Sequence, residues 1–154
     1  MTHMLFTTKL GRTPNIELVE LNRLKPHEEV DSVHLKELTE EIKSDKILKF
    51  AIAAEKDGDI ILDGHHRVAA LKELGCTKIP VVFVDYRSSD IEVQSQRNPV
   101  ELTKEEIVKA GMGLKKLPPK TSKHMIRING VLKHISVIEK RVDIPLEELK
   151  GDSE

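Results

Sequence analysis

The five residues Asp63-Gly64-His65-His66-Arg67 constrain this chain more than any other stretch of it. A hydrophobic run, Asp59-Ile60-Ile61-Leu62, precedes them, and Val68-Ala69-Ala70-Leu71-Lys72-Glu73-Leu74 follows and stops at Gly75. That order reads as a strand, a glycine elbow and a short helix with a glycine just past its end. A helix start carries backbone N–H groups without intrahelical partners and the positive end of the helix dipole, a combination suited to an anion. Two imidazoles and a guanidinium at the same place add donors that match phosphate oxygens. The plainer reading makes Asp63 an N-cap, Gly64 a turn residue and the basic triplet a solvated first turn. Three basic residues where the dipole prefers acids call for a counter-anion, however, which favours a phosphate cradle.

At 154 residues the chain is one domain, or one with a small appendage, and is long enough for a core without staples. Hydrophobic residues at 38% and charged ones at 33% mark a folded globular protein rather than a disordered one. A net charge of −1 gives no overall pull toward nucleic acid or an anionic membrane. Cys76 is the single cysteine and has no partner for an intramolecular disulfide, so a buried, inert thiol is expected. No apolar segment approaches the roughly 18 residues needed to span a bilayer, and Met1 to Phe6 lack a signal-peptide pattern. A cytoplasmic location is expected.

Ile16 to Leu21 alternates apolar and polar residues as a strand does. Lys25-Pro26-His27-Glu28-Glu29 reads as a loop. Asp31 or Ser32 then caps a helix with Val33, Leu35, Leu38 and Ile42 as its apolar stripe. Phe50 to Glu55 and Asp59 to Leu62 read as strands joined by Lys56-Asp57-Gly58, and Ile79 to Val84 as a buried strand. Ser88 to Pro99 is polar, with an edge strand around Ile91 to Val93. Thr103 and Glu106 have capping-box spacing for a helix that Gly111 or Gly113 ends, and Leu117-Pro118-Pro119-Lys120 must be a loop. From His124 to Leu149 the periodicity does not divide the chain.

Besides the cradle, two groups carry candidate chemistry. Glu28, on a loop leading into a helix, has the chemistry of a general base, although glutamates there also complement a helix dipole. Lys120-Thr121-Ser122-Lys123-His124 offers two ammoniums, two hydroxyls and an imidazole, suited to a carboxylate or phosphate and equally to a solvated turn. Zinc at His65 and His66 is disfavoured, because adjacent histidines diverge and no further ligand is near in sequence. Walker-type, G-x-G-x-x-G, G-x-S-x-G and C-x-x-C motifs are all missing from the sequence.

Leu24-Lys25-Pro26-His27-Glu28, then Ile61-Leu62-Asp63-Gly64-His65-His66-Arg67 with Ala69-Ala70-Leu71 and Leu74-Gly75, resembles the ParB/sulfiredoxin superfamily and, within it, the free L-serine kinases known from archaea. The resemblance covers Ile16 to Tyr86 and resumes from Leu102 to Leu149. It implies an α+β fold, a mixed sheet with flanking helices and a strand–glycine elbow–helix phosphate site. Residues 1–100 would form the nucleotide-binding core, with residues 101–154 as a C-terminal helix and substrate-loop segment packed on the same domain. It further implies phosphoryl transfer from ADP or ATP, with Mg²⁺, to the hydroxyl of free L-serine, in the service of cysteine synthesis. Glu28 would be the catalytic base, and Asp63, Gly64, His65, His66 and Arg67 the phosphate site, with Asp63 also the Mg²⁺ ligand. Lys120, Thr121, Ser122, Lys123 and His124 would recognise the amino-acid carboxylate. Lys123 stands where the family carries arginine, and residues 88–100 replace a longer segment. The alternative is a ParB-like nucleotide-binding module, DNA-associated or regulatory, without kinase activity. No helix-turn-helix with a basic recognition helix supports the DNA reading, and sulfiredoxin chemistry would need a cysteine in the cradle.

Overall fold

The computed structural model describes residues 16–96, 101–113 and 115–151. Its centre is a four-stranded mixed sheet of β1 (Ile16–Glu20), β5 (Lys78–Val84), β3 (Ile52–Glu55) and β4 (Ile61–Asp63), in that order. β3 and β5 run parallel, and the other pairs are antiparallel. Every residue of β3 is buried, so both faces of the sheet are covered.

Side-chain alternation along the strands divides the interior into two layers. Ile52, Ala54, Ile61, Ile79 and Val81 face one way, toward Ile42 of α1 (Ser32–Asp45), Val68 and Leu71 of α2 (His65–Glu73), and Leu146 and Leu149 of α4 (Leu146–Leu149). Ala53, Ile60, Leu62 and Val82 face the other way, toward Ile107 of α3 (Lys104–Met112) and the 3-10 turn Ile135–Ile138. That second layer is completed by a sheet of β6 (Ile91–Ser95), β7 (Ser122–Ile128) and β8 (Val131–His134). A separate antiparallel pair joins β2 (Ile47–Phe50) to β9 (Arg141–Pro145), so the last third of the chain contacts both layers.

The expected α+β architecture is observed, as are the capping box at Thr103 and Glu106 and the Asp31 cap of α1. Four local expectations are corrected. Val33 is 64% exposed, because it lies in the first turn of α1, ahead of the contact with the core that Leu35, Leu38 and Ile42 make. Phe50 belongs to β2 rather than to β3, since Ala51 breaks the run where its amide bonds to Lys140 O. Lys25 to Glu29 is extended and bridged rather than a free loop: Lys25 pairs with Ile60 and Glu28 with Leu117, both parallel. Ser122, Lys123 and His124 open β7 and are not loop residues. The stretch Arg97-Asn98-Pro99 and the N-terminal residues Met1 to Phe6 lie outside the described residues.

Cys76 is buried and unpaired in a disulfide, and burial raises its thiol above the usual range. No helix among the described residues is long and apolar enough to cross a membrane.

Candidate active site

The elbow is built as its sequence requires. Gly64 has φ +113°, and a Cβ there would collide with the Cβ and Cγ2 of Ile52 on the neighbouring strand. Only glycine lets β4 turn directly into α2 against β3. No acid occupies the first turn of α2, and helix geometry leaves its leading amides outside the ladder, which begins with Val68 N donating to Gly64 O.

The side chains of the triplet do not point outward as cationic donors, and that part of the expectation is corrected. His65 Nε2 accepts from His27 N at 3.1 Å, and His66 Nε2 accepts from Asp31 N at 2.9 Å. Both rings are therefore held in a neutral form, and burial lowers the pKa of each, that of His65 far below its ordinary value. His66 also stacks on His34 at 4.1 Å. Arg67 donates to Ala51 O at 2.7 Å, Glu139 Oε1 at 2.7 Å and Asp63 Oδ2 at 3.3 Å. Its guanidinium ties the β2–β3 junction to the end of β4 and to the entry of β9. The cations whose charge reaches the elbow come instead from the α3–β7 segment: Lys116 acts on His27 and His65, and Lys120 on His66 and Asp31.

Glu28 is placed by its bridge to Leu117, with Leu117 N donating to His27 O and Glu29 N to Leu117 O, both within 2.9 Å. Its Oε1 accepts from Lys120 N at 3.1 Å, and its Oε2 accepts from Ser122 N at 2.8 Å and makes a short contact with Ser122 Oγ. The side chain is 10% exposed, which leaves one edge open. Burial raises its carboxyl above the usual range, the Ser122 and Lys120 donors oppose that, and the charge of Asp63 adds to it. A fixed, partly desolvated carboxylate is what a general base requires.

Behind Glu28 lies a layer of neutral imidazoles. His27 Nδ1 donates to Ile61 O at 2.7 Å, and His124 Nδ1 donates to Leu62 O at 3.0 Å. Leu62 is the extra residue where the β3–β4 register shifts, which releases its carbonyl from the ladder. Tyr86 O–H donates to His124 Nε2 at 2.8 Å. Burial lowers His27 to about 4 and His124 to about 3.

Of the residues expected at the site, Glu28, Lys120 and Ser122 meet directly. Thr121 Oγ1 donates to Pro118 O and shapes the turn. Lys123 projects from β7 on the side opposite Ser122 and His124, both buried. His124, 1% exposed with both ring nitrogens engaged, serves the β4–β7 contact. Glu139 and Lys116 were not legible: one is a lone acid in the stretch that resisted division, the other one lysine among many. Burial pushes Glu139 up to about 9 despite Arg67, and the neighbouring Asp63 carboxyl adds to that rise.

No group of three or more His, Cys, Asp or Glu among the described residues is arranged to hold a metal. Asp63, whose side chain is 28% exposed and whose Oδ2 alone meets Arg67, offers a single carboxylate. That fits Mg²⁺, which commonly takes one or two carboxylates and completes its shell with water and substrate phosphates. A separate groove of about 550 Å³ between α3 and the β3–β4 turn is lined by Ile60, Tyr86, Val108 and Met112 among others; Tyr86 is its link to the imidazole layer, and neither Glu28, the elbow residues 63–67 nor residues 120–124 line it.

The ParB N-terminal domain model matches residues 6–98, and the chain belongs to that family. An ATP-dependent L-serine kinase of Staphylothermus marinus is 35% identical over 82 residues, 51% of this chain and 32% of that one. An ADP-dependent L-serine kinase of Thermococcus kodakarensis is 37% identical over 79 residues, 49% of this chain and 33% of that one. The matches thus span about a third of these relatives' length. A solved free serine kinase in complex with AMP superposes with a TM-score of 0.73 at 19% identity, covering 94% of this chain and 95% of that one, which establishes the shared fold.

Proposed function

We propose that this chain transfers a phosphoryl group from ADP or ATP to the hydroxyl of free L-serine, giving O-phospho-L-serine. The observation that carries the reading is Glu28: a partly desolvated carboxylate fixed by Lys120 and Ser122, on the segment whose neighbour His27 docks on the first residue of α2. The names of the two kinases that match this chain support the same chemistry.

The anion site works through the leading amides of α2, supplemented by Lys116 and Lys120, rather than through imidazolium side chains. The serine oxygen attacks the terminal phosphorus, the bond to the departing nucleotide breaks, and the hydroxyl proton passes to Glu28. Positioning and charge neutralisation supply most of the acceleration in such a transfer. Asp63 would hold Mg²⁺, which when bound neutralises phosphate charge. Lys120 and the turn at Thr121 are the candidates for the serine carboxylate, with the Lys120 amide already on Glu28.

The test is direct. Protein, L-serine, Mg²⁺ and either ADP or ATP are incubated together, and O-phosphoserine is sought by phosphorus NMR. Product with one nucleotide identifies the donor. No product with either, at several temperatures, refutes the kinase reading and leaves a ParB-like nucleotide-binding module.

A further inference from the structure

Glu28, Ser122 and His27 form one hydrogen-bonded chain that ends on a backbone carbonyl. Ser122 Oγ touches Glu28 Oε2 on one side and lies 2.9 Å from His27 Nε2 on the other. His27 Nδ1 lies 2.7 Å from Ile61 O, and a carbonyl oxygen only accepts, so the ring hydrogen is on Nδ1. In the neutral ring Nε2 is then an acceptor.

Counting hydrogens decides what the chain is for. Ser122 has one hydroxyl hydrogen and two neighbours. With Glu28 ionised, that hydrogen points to Oε2, and His27 Nε2 faces a serine lone pair with nothing between them. With Glu28 protonated, the carboxyl donates to Ser122 Oγ, the serine hydroxyl donates to His27 Nε2, and His27 donates to Ile61 O. Every link is then filled by neutral groups. The protonated state has one more hydrogen bond, and at the His27–Ser122 link water does not replace it: His27 is 0% and Ser122 9% exposed.

We infer that the Ser122 hydroxyl is a two-position donor which turns from Glu28 to His27 when Glu28 takes up a proton, so that Ser122 and His27 set the proton affinity of Glu28. Both are positioning residues. Resting on the kinase reading, the consequence is that the proton leaving the serine substrate's hydroxyl has a place built for it. One O–H bond breaks in the substrate and one forms on Glu28. After transfer the proton leaves by the exposed edge of the carboxyl, and the Ser122 hydroxyl turns back. The charged and titratable groups facing the chain are Asp63 on β4, His65 on α2, Lys116 before β7 and His124 on β7, while Lys120 meets it through its backbone amide.

Two substitutions separate the links. In His27→Asn the amide stands where Nδ1 stood, keeping a donor for Ile61 O while losing the acceptor for Ser122. In His27→Gln the longer amide reaches the Nε2 position, keeping that acceptor while losing the Ile61 bond. The readout is the titration of the Glu28 side-chain carboxyl by carbon-13 NMR, which needs no turnover and stands even if no phosphoserine forms. Relative to the unsubstituted protein, His27→Asn should titrate lower by about one pH unit, the tenfold loss of proton affinity expected for one hydrogen bond. His27→Gln should stay within a few tenths of a unit while melting earlier. In active protein, the acid limb of kcat/KM should move with the same order. An unshifted His27→Asn, or a His27→Gln that shifts as far, would overturn the inference and leave His27 a purely structural residue.

Discussion

Glu28→Gln should lower kcat by about 10²–10⁴-fold, the usual contribution of a positioned general base, while nucleotide affinity stays close to that of the unsubstituted protein. The side-chain amide is nearly the same size as the carboxyl and retains one oxygen for the Ser122 or Lys120 amide, so the turn before β7 should keep its place. It cannot accept a proton from the substrate. The phosphate site is spared, because the leading amides of α2 are positioned by Gly64 and by the Arg67 tie to Ala51 O and Glu139, not by Glu28. Steady-state kinetics with a separate nucleotide titration make the check. An unchanged kcat with a raised KM for serine would demote Glu28 to a substrate-binding residue.

Mild acid should destabilise the protein by about 2 kcal/mol or more, through the imidazole layer. His27 and His124 titrate at about 4 and about 3 when folded and near 6.5 when unfolded, and His65 is displaced the same way. A group with a depressed folded pKa gives stability that is complete above its unfolded value and is lost as the pH falls toward its folded value. Each such histidine removes up to about 1.4 kcal/mol per pH unit below 6.5. Glu139, pushed up to about 9, works in the opposite direction, since the folded state holds that proton before the unfolded chain does, and Glu28 does so more weakly. His27 and His124 together outweigh Glu139, so a net loss on the order of 2 kcal/mol is expected between pH 6.5 and 4.5, to which His65 adds. Against a typical total of about 5–15 kcal/mol, that is a large fraction. Urea titrations at a series of pH values measure it. Stability that is flat or rises over that window would mean that these rings accept protons in the folded protein despite the burial that lowers their pKa values.

Local signals in the sequence carried the elements whose causes are local. The strand–Gly64–helix elbow, the Asp31 cap and the Thr103–Glu106 box each depend on residues within a few positions of one another, and each is present. What was not legible depends on distance. Glu28 and Ser122 lie 94 positions apart, and only β7 brings them together. Ser122 to His124 read as a loop because two prolines and a polar run hide the alternation that pairing with β6 reveals. His65 and His66 read as donors because their chemistry allows it. Folding makes them acceptors, since the amides of His27 and Asp31 arrive first. Arg67 is claimed in the same way by Glu139, which no spacing rule connects to the elbow.

The measurement closest to the centre of this account is a backbone-amide NMR titration of the nitrogen-15-labelled protein, first with ADP or ATP and Mg²⁺, then with L-serine. Nucleotide should shift the amides of Gly64 to Arg67 most strongly, and serine should then shift Lys120 to Ser122 beside Glu28. Shifts confined to the groove at Val108 to Met112, with the elbow unmoved, would contradict the assignment of the active site.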